Sequence, residues 1–154
     1  MILFGIVKYL HLLLISLWVG GQLFLPLVIL PALKKSSDRE NIIIKAGIQF
    51  RKVGYYVLTL IVISGLGMYY IKMGSFSNLW QTTYGKTVTL KIVLFIVMWA
   101  ANNYHEKFML NQIEKSDFLY HKIKKKAKIS GYVTFLLSLT LMWIGVMLAN
   151  GIFL

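Results

Sequence analysis

The sequence contains no cysteine, which removes disulfides, thiolate metal ligands and cysteine nucleophiles from every later argument. Acidic residues are scarce as well. Five Asp and Glu stand against 17 Lys and Arg, and all five (Asp38, Glu40, Glu106, Glu114 and Asp117) fall in polar segments between hydrophobic runs. No phosphate-binding glycine loop, paired carboxylates, metalloprotease motif or catalytic triad can be drawn from such a set, which argues against a hydrolase. Charged residues of both signs make up 14% of the chain, against roughly a quarter in an ordinary soluble domain. Proline is limited to Pro26 and Pro31, both late in the first hydrophobic run, where their rings are expected to kink or end a helix.

Hydrophobic residues fill the space, at 58% of the chain and a mean hydropathy of +0.69. A membrane-crossing helix needs ~20 mostly apolar residues, and four runs supply them, at about 2–33, 53–72, 86–105 and 129–151. The expected fold is all-α: an integral membrane four-helix bundle forming a single transmembrane domain over 1–154. The first run lacks a basic leading segment and an Ala-x-Ala-like cleavage site, and it is longer than a secretory h-region. It is therefore expected to be retained as a helix.

The basic residues are distributed unevenly. Lys34, Lys35, Arg39, Lys45, Arg51 and Lys52 follow the first run, and Lys107, Lys115, Lys122, Lys124, Lys125, Lys126 and Lys128 follow the third. The segment between runs two and three, Met73 to Gly85, carries no charge. Positive residues stay in the cytoplasm, so both termini and the middle loop are expected on the outer, periplasmic side of a multi-pass protein. The net charge of +12 then points to anionic lipid at the cytoplasmic loops and not to nucleic acid. Residues 41–52 and 108–128 read as interfacial helices or as cytoplasmic extensions of the spans.

Ionisable side chains within such spans are costly, so each is a candidate for function. His11 lies about 12 Å below the outer end of the first helix. Its face continues through Ile15, Trp18 and Gln22, a stripe directed into the bundle. Either the imidazole is held neutral by a neighbouring helix, or it ligates copper or the iron of a haem. Lys8 and Lys91 either snorkel to the nearby outer surface or neutralise an anionic group between helices, such as haem propionates. Without cysteine, methionine is the remaining soft ligand. Met142 lies at a depth of about 13 Å in the fourth helix, comparable with His11, while Met68 and Met147 lie nearer the outer edge; most methionines in such helices only pack. Met68, Met73 and Met147 are compatible with an entry path for Cu(I). On the third helix, Lys91, Met98, Asn102 and His105 share one face. His105, beside Glu106 and Lys107, reads as interfacial, and His121, among lysines, as solvated. Gly20, Gly21, Ser64, Gly65 and Gly67 allow close helix approach, or room for a flat macrocycle beside His11.

The runs LHLLLISLWVGGQLFLPLVILPAL, FRKVGYYVLTLIVISGL and TTYGKTVTLKIVLFIVMWAANN resemble the copper-resistance protein D (CopD) family of bacterial inner-membrane proteins over nearly the whole chain. The resemblance is carried by His11, the segment from Trp18 to Gly21, that from Ser64 to Leu66, that from Tyr84 to Lys86, Lys91 and Asn102. It implies an inner-membrane protein in copper handling. The related HemJ-type protoporphyrinogen oxidases are similar in size, and that likeness implies His11 as a haem b ligand and Lys91 as a contact to substrate or propionate. This chain has LPLVILPAL where their pattern has an arginine and a histidine, and its spacing from Lys91 to Tyr104 and His105 is longer. Three roles follow: a copper-handling protein with a metal centre in the outer half of the bundle; a haem b protein, either a protoporphyrinogen oxidase or an electron carrier to quinone; or a non-catalytic accessory subunit. Whether it is an enzyme stays open, and a homodimer or a partner protein in the membrane or periplasm is compatible with each role. The topology is directly testable: a cysteine introduced at Ser77 reacts with an impermeant maleimide added outside the cell, and one at Ser116 does not. The reverse labelling pattern would overturn the orientation.

Overall fold

The computed structural model describes the backbone of residues 1–110 and 117–153, and the side chains of those residues apart from 40, 44 and 104–128. Among the described residues the secondary structure is entirely helical. We number four long helices in chain order: α1 (Ile2–Ala32), α2 (Arg39–Met73), α3 (Thr83–Leu110) and α4 (Asp117–Ala149). A short 3-10 turn, Phe76–Leu79, lies between α2 and α3. Each long helix contains a stretch long and apolar enough to cross a membrane, because in hydrocarbon a backbone must bond its own polar groups. The chain divides into two compact units, Met1–Phe76 and Ser77–Leu154, each a helical hairpin, α1 with α2 and α3 with α4.

Pro26 and Pro31 do not end α1. The helix widens into a π turn over Leu25–Ile29 and continues to Ala32. A proline ring collides with the carbonyl four residues earlier, which for Pro31 is that of Leu27. The wider turn, in which the Leu30 amide bonds the Leu25 carbonyl, moves that carbonyl out of the way. Helix α2 runs unbroken for 35 residues, about 52 Å, well beyond the ~30 Å of a hydrocarbon core. Residues 41–52 are thus an extension of the span. Its C-terminus is capped by Gly74 at φ 71°, whose amide bonds the Tyr70 carbonyl. The left-handed conformation is the reason glycine stands there. The backbone of α4 begins at Asp117 and is likewise continuous. His105, His121 and the basic side chains from Lys107 to Lys128 lie outside the described side chains.

The first hairpin is held by large side chains seated on glycines of the opposite helix. A Cβ on Gly54 would stand 2.6 Å from Cζ3 of Trp18, one on Gly21 would collide with the Phe50 ring, and one on Gly65 would lie 3.2 Å from Cε1 of His11. Trp18 and Phe50 also stack, with centroids 5.5 Å apart and planes at 15°. The pairs 21–50, 18–54 and 11–65 define an antiparallel register. The second hairpin repeats the principle with polar contacts: Oγ of Ser138 lies 3.2 Å from Sδ of Met98, Oγ of Ser130 donates to the Ala101 carbonyl, and Nζ of Lys91 lies 3.3 Å from where a Gly145 Cβ would be. Thr87, Thr134, Ser138, Met98 and Ile144 are buried.

This packing predicts unequal tolerance among glycines. Gly54→Leu overpacks against Trp18 and costs about 2 kcal/mol, read as a lower thermal midpoint in detergent. Gly47→Leu, with no described atom within 4 Å of its would-be Cβ, leaves the midpoint unchanged.

Candidate functional site at His11

His11 faces α2, half-buried, at the one level where that helix offers a serine next to a glycine. Nδ1 of His11 lies 2.8 Å from Oγ of Ser64. The serine hydroxyl reaches back to the Leu60 carbonyl at 2.7 Å, with the Ile61 carbonyl farther at 3.1 Å, the i−4 bond that serine makes within helices. A hydroxyl has one proton, and that proton goes to Leu60. The bond between ring and hydroxyl is therefore donated by Nδ1–H of His11, which makes Nε2 the basic nitrogen of the ring. A metal-binding histidine takes this form: one ring nitrogen fixed by a second polar group, the other carrying the lone pair. Gly65 supplies the space in which the imidazole lies, so the room this glycine leaves is taken by the ring itself.

The other expected residues fall into two groups. Lys8, Trp18, Gln22 and Met68 belong to the first hairpin with His11. Lys8 is half-buried one turn before His11. Trp18, seven residues or about 10 Å along the axis, is engaged in packing on Gly54 and Phe50. Gln22 lies about 16 Å from His11 along α1, and its Oε1 is buried without a hydrogen-bond partner among the described residues. Met68 stands one turn beyond Ser64 on the same face of α2. The Met68 side chain is half-buried.

Lys91, Met142 and Met147 belong to the second hairpin. Lys91 extends its ammonium along the Gly145 backbone, Met142 is 44% exposed, and Met147 is half-buried. Asn102 is half-buried on α3. No group of three or more His, Cys, Asp or Glu able to hold a metal ion occurs among the described residues.

Three residues gain a significance that spacing alone did not give them. Ser64 reads in the sequence as a small packing residue, yet it sets the tautomer of His11. Gly145 reads as an isolated helical glycine, yet it admits Lys91. Tyr69, 1% exposed and stacked on Phe76 at 5.9 Å, lies one turn beyond Gly65, toward the Gly74 end of α2. The signal for Ser64 was only partial: once Trp18 is paired with Gly54, antiparallel counting brings residue 61 opposite His11, about one turn short of Ser64 and Gly65.

A family model described as copper resistance protein D matches residues 44–153, a range that begins after α1 and so leaves His11 outside it. An uncharacterized protein of Aquifex aeolicus (strain VF5) is 32% identical over 148 residues, covering 93% of each chain. No solved structure matches.

The tautomer can be read directly. In nitrogen-15 spectra of the histidine-labelled protein, His11 shows a protonated Nδ1 and an unprotonated Nε2, and Ser64→Ala produces a mixture of the two tautomers. A protonated Nε2 in the unaltered protein would reverse the assignment.

Proposed function

The chain belongs to the copper resistance protein D family, and from that premise we propose that it is an inner-membrane copper-handling protein that binds Cu(I) as cargo through Nε2 of His11, with the thioether of Met68 as second ligand. The orientation proposed is the one the charges favour, with both termini and the 73–85 loop outside, so that the ion enters from the periplasmic side. The observation that supports the reading is the chain of bonds from His11 through Ser64 to the Leu60 carbonyl, which fixes the ring from its Nδ1 side.

The chemistry of the donor set selects the ion. Imidazole and thioether are neutral and suit soft Cu(I). With no anionic ligand cluster among the described residues, a doubly charged ion in low dielectric would be left uncompensated. One positive charge on a two-ligand site is the smaller cost. Two ligands also suit an ion that must leave again, because a closed set of three or four would hold it. Within the first hairpin the space beside Gly65 is filled by the imidazole, which fits a small ion better than a porphyrin there. A haem b reading would use the same ring to hold the iron, with Lys8 on the same helix near a propionate.

Purified protein titrated anaerobically with Cu(I) against a competing chelator is expected to take up one ion per chain. His11→Ala weakens binding by at least ~100-fold, and Ser64→Ala by about 10-fold. Met68→Leu weakens it while leaving the helix content unchanged. Equal affinity in His11→Ala would end the proposal. A Soret band in the purified protein that is lost in His11→Ala would replace copper with haem, and a colourless protein that takes up no copper would leave an accessory role.

A further inference from the structure

The outer-loop end of the second hairpin carries apolar surface that the site above does not use. Trp80 is 72% exposed, and Ile152 and Phe153 are also exposed. These residues meet at one end of the hairpin, because Tyr84 at the start of α3 holds Phe153 edge to face, with centroids 5.8 Å apart at 87°. The tail reaches that position through a Schellman turn: the Ile152 amide bonds the Met147 carbonyl, the Gly151 amide bonds the Leu148 carbonyl, and Gly151 adopts φ 75°.

The segment before α3 does not project as an open loop. Thr82 caps the helix, its Oγ1 accepting from the Gly85 amide at 3.0 Å and donating to the Asn78 carbonyl at 3.1 Å. Its own amide bonds the same carbonyl. The carbonyls of Asn78 and Leu79 lie so close over Gly85 that a Cβ there would collide with the former and stand 2.6 Å from the latter. A segment folded down this tightly has satisfied several of its polar groups internally, as a low-water environment requires, while it turns an indole outward.

We propose that residues 77–82 and the tail 150–153 together form a lipid-docking surface that lies in the headgroup layer, with Trp80 as its anchor. Three observations favour lipid over a soluble partner. Met73 to Gly85 carries no charge, so there is nothing to orient a hydrophilic protein. Exposed apolar residues also follow along α4 toward the same end, among them Trp143 and Val146. The exposed Tyr132 stands near the other end of the same span, and from Tyr132 to Asn150 the helix rises about 27 Å, close to the ~30 Å of hydrocarbon. Aromatic side chains at both ends of that distance mark the two interfaces where tryptophan and tyrosine settle.

The test uses the absence of native cysteine. The full chain bearing Gln81→Cys is labelled with a nitroxide and reconstituted in phosphatidylethanolamine and phosphatidylglycerol vesicles. Power saturation is then measured with oxygen and with the nickel chelate Ni(II)EDDA. Docking predicts nickel accessibility at least about threefold below that of the free label in buffer, with oxygen accessibility retained. Adding Trp80→Ala, in a variant that keeps its helix content, raises nickel accessibility toward the free-label value. The proposal is overturned if the label is as open to nickel as in water, if it is shielded from oxygen and nickel alike as by a protein partner, or if Trp80→Ala changes nothing.

Discussion

Inside hydrocarbon, one apolar helix gains nothing from the hydrophobic effect by meeting another, since lipid tails are as apolar as leucine. What holds this chain together is close fit, worth little per atom pair and much in aggregate. Trp18 on Gly54, Phe50 on Gly21 and His11 on Gly65 bring α1 and α2 together along their shared length. Everything else in the first hairpin follows from that contact. The register it sets is what delivers Ser64 to His11, since a slip by one helical turn would leave the imidazole against Leu60 or Met68 with its ring nitrogens unmatched.

The same constraint explains why polar groups in the second hairpin sit where they do. Thr87, Thr134 and Ser138 are buried, and each returns its hydroxyl to the carbonyl four residues earlier, a bond available in any helix without help from a neighbour. Ser138 shares its hydroxyl with the sulfur of Met98 as well. Lys91 cannot satisfy itself in this way, and glycine at position 145 gives its stem a channel along the backbone. Most hydroxyls in these spans thus close first on their own helix, and Ser64, Ser130 and Ser138 also meet a residue of the neighbouring one, as His11 and Lys91 do.

How much of this could be read from the chain depends on the range of the interaction. The spans were legible because a run of twenty apolar residues has few other fates, and the family because its pieces keep their order. Pro26 and Pro31 mark from the sequence where α1 must kink or end; that it continues through a π turn was not legible, because the replacement hydrogen bond is set by the local backbone. Residues 41–52 could be assigned either way, since a basic amphipathic stretch reads alike as an interfacial helix and as a continuation of the span. The helical phase of Trp18 matches that of His11 and was legible in the sequence; its contacts with Gly54 and Phe50, which lie far off in the chain, were not.

The sequence by itself determined the helices, their number and the membrane as solvent, because these depend on composition summed over many residues, where no single contact matters. The tertiary structure alone decided which nitrogen of His11 carries the proton, which glycines are occupied, and that Trp80 and Phe153 end up at the same end of one hairpin. Those outcomes rest on pairs of residues far apart in the chain and a few ångströms apart in space, and only the packing register brings them together.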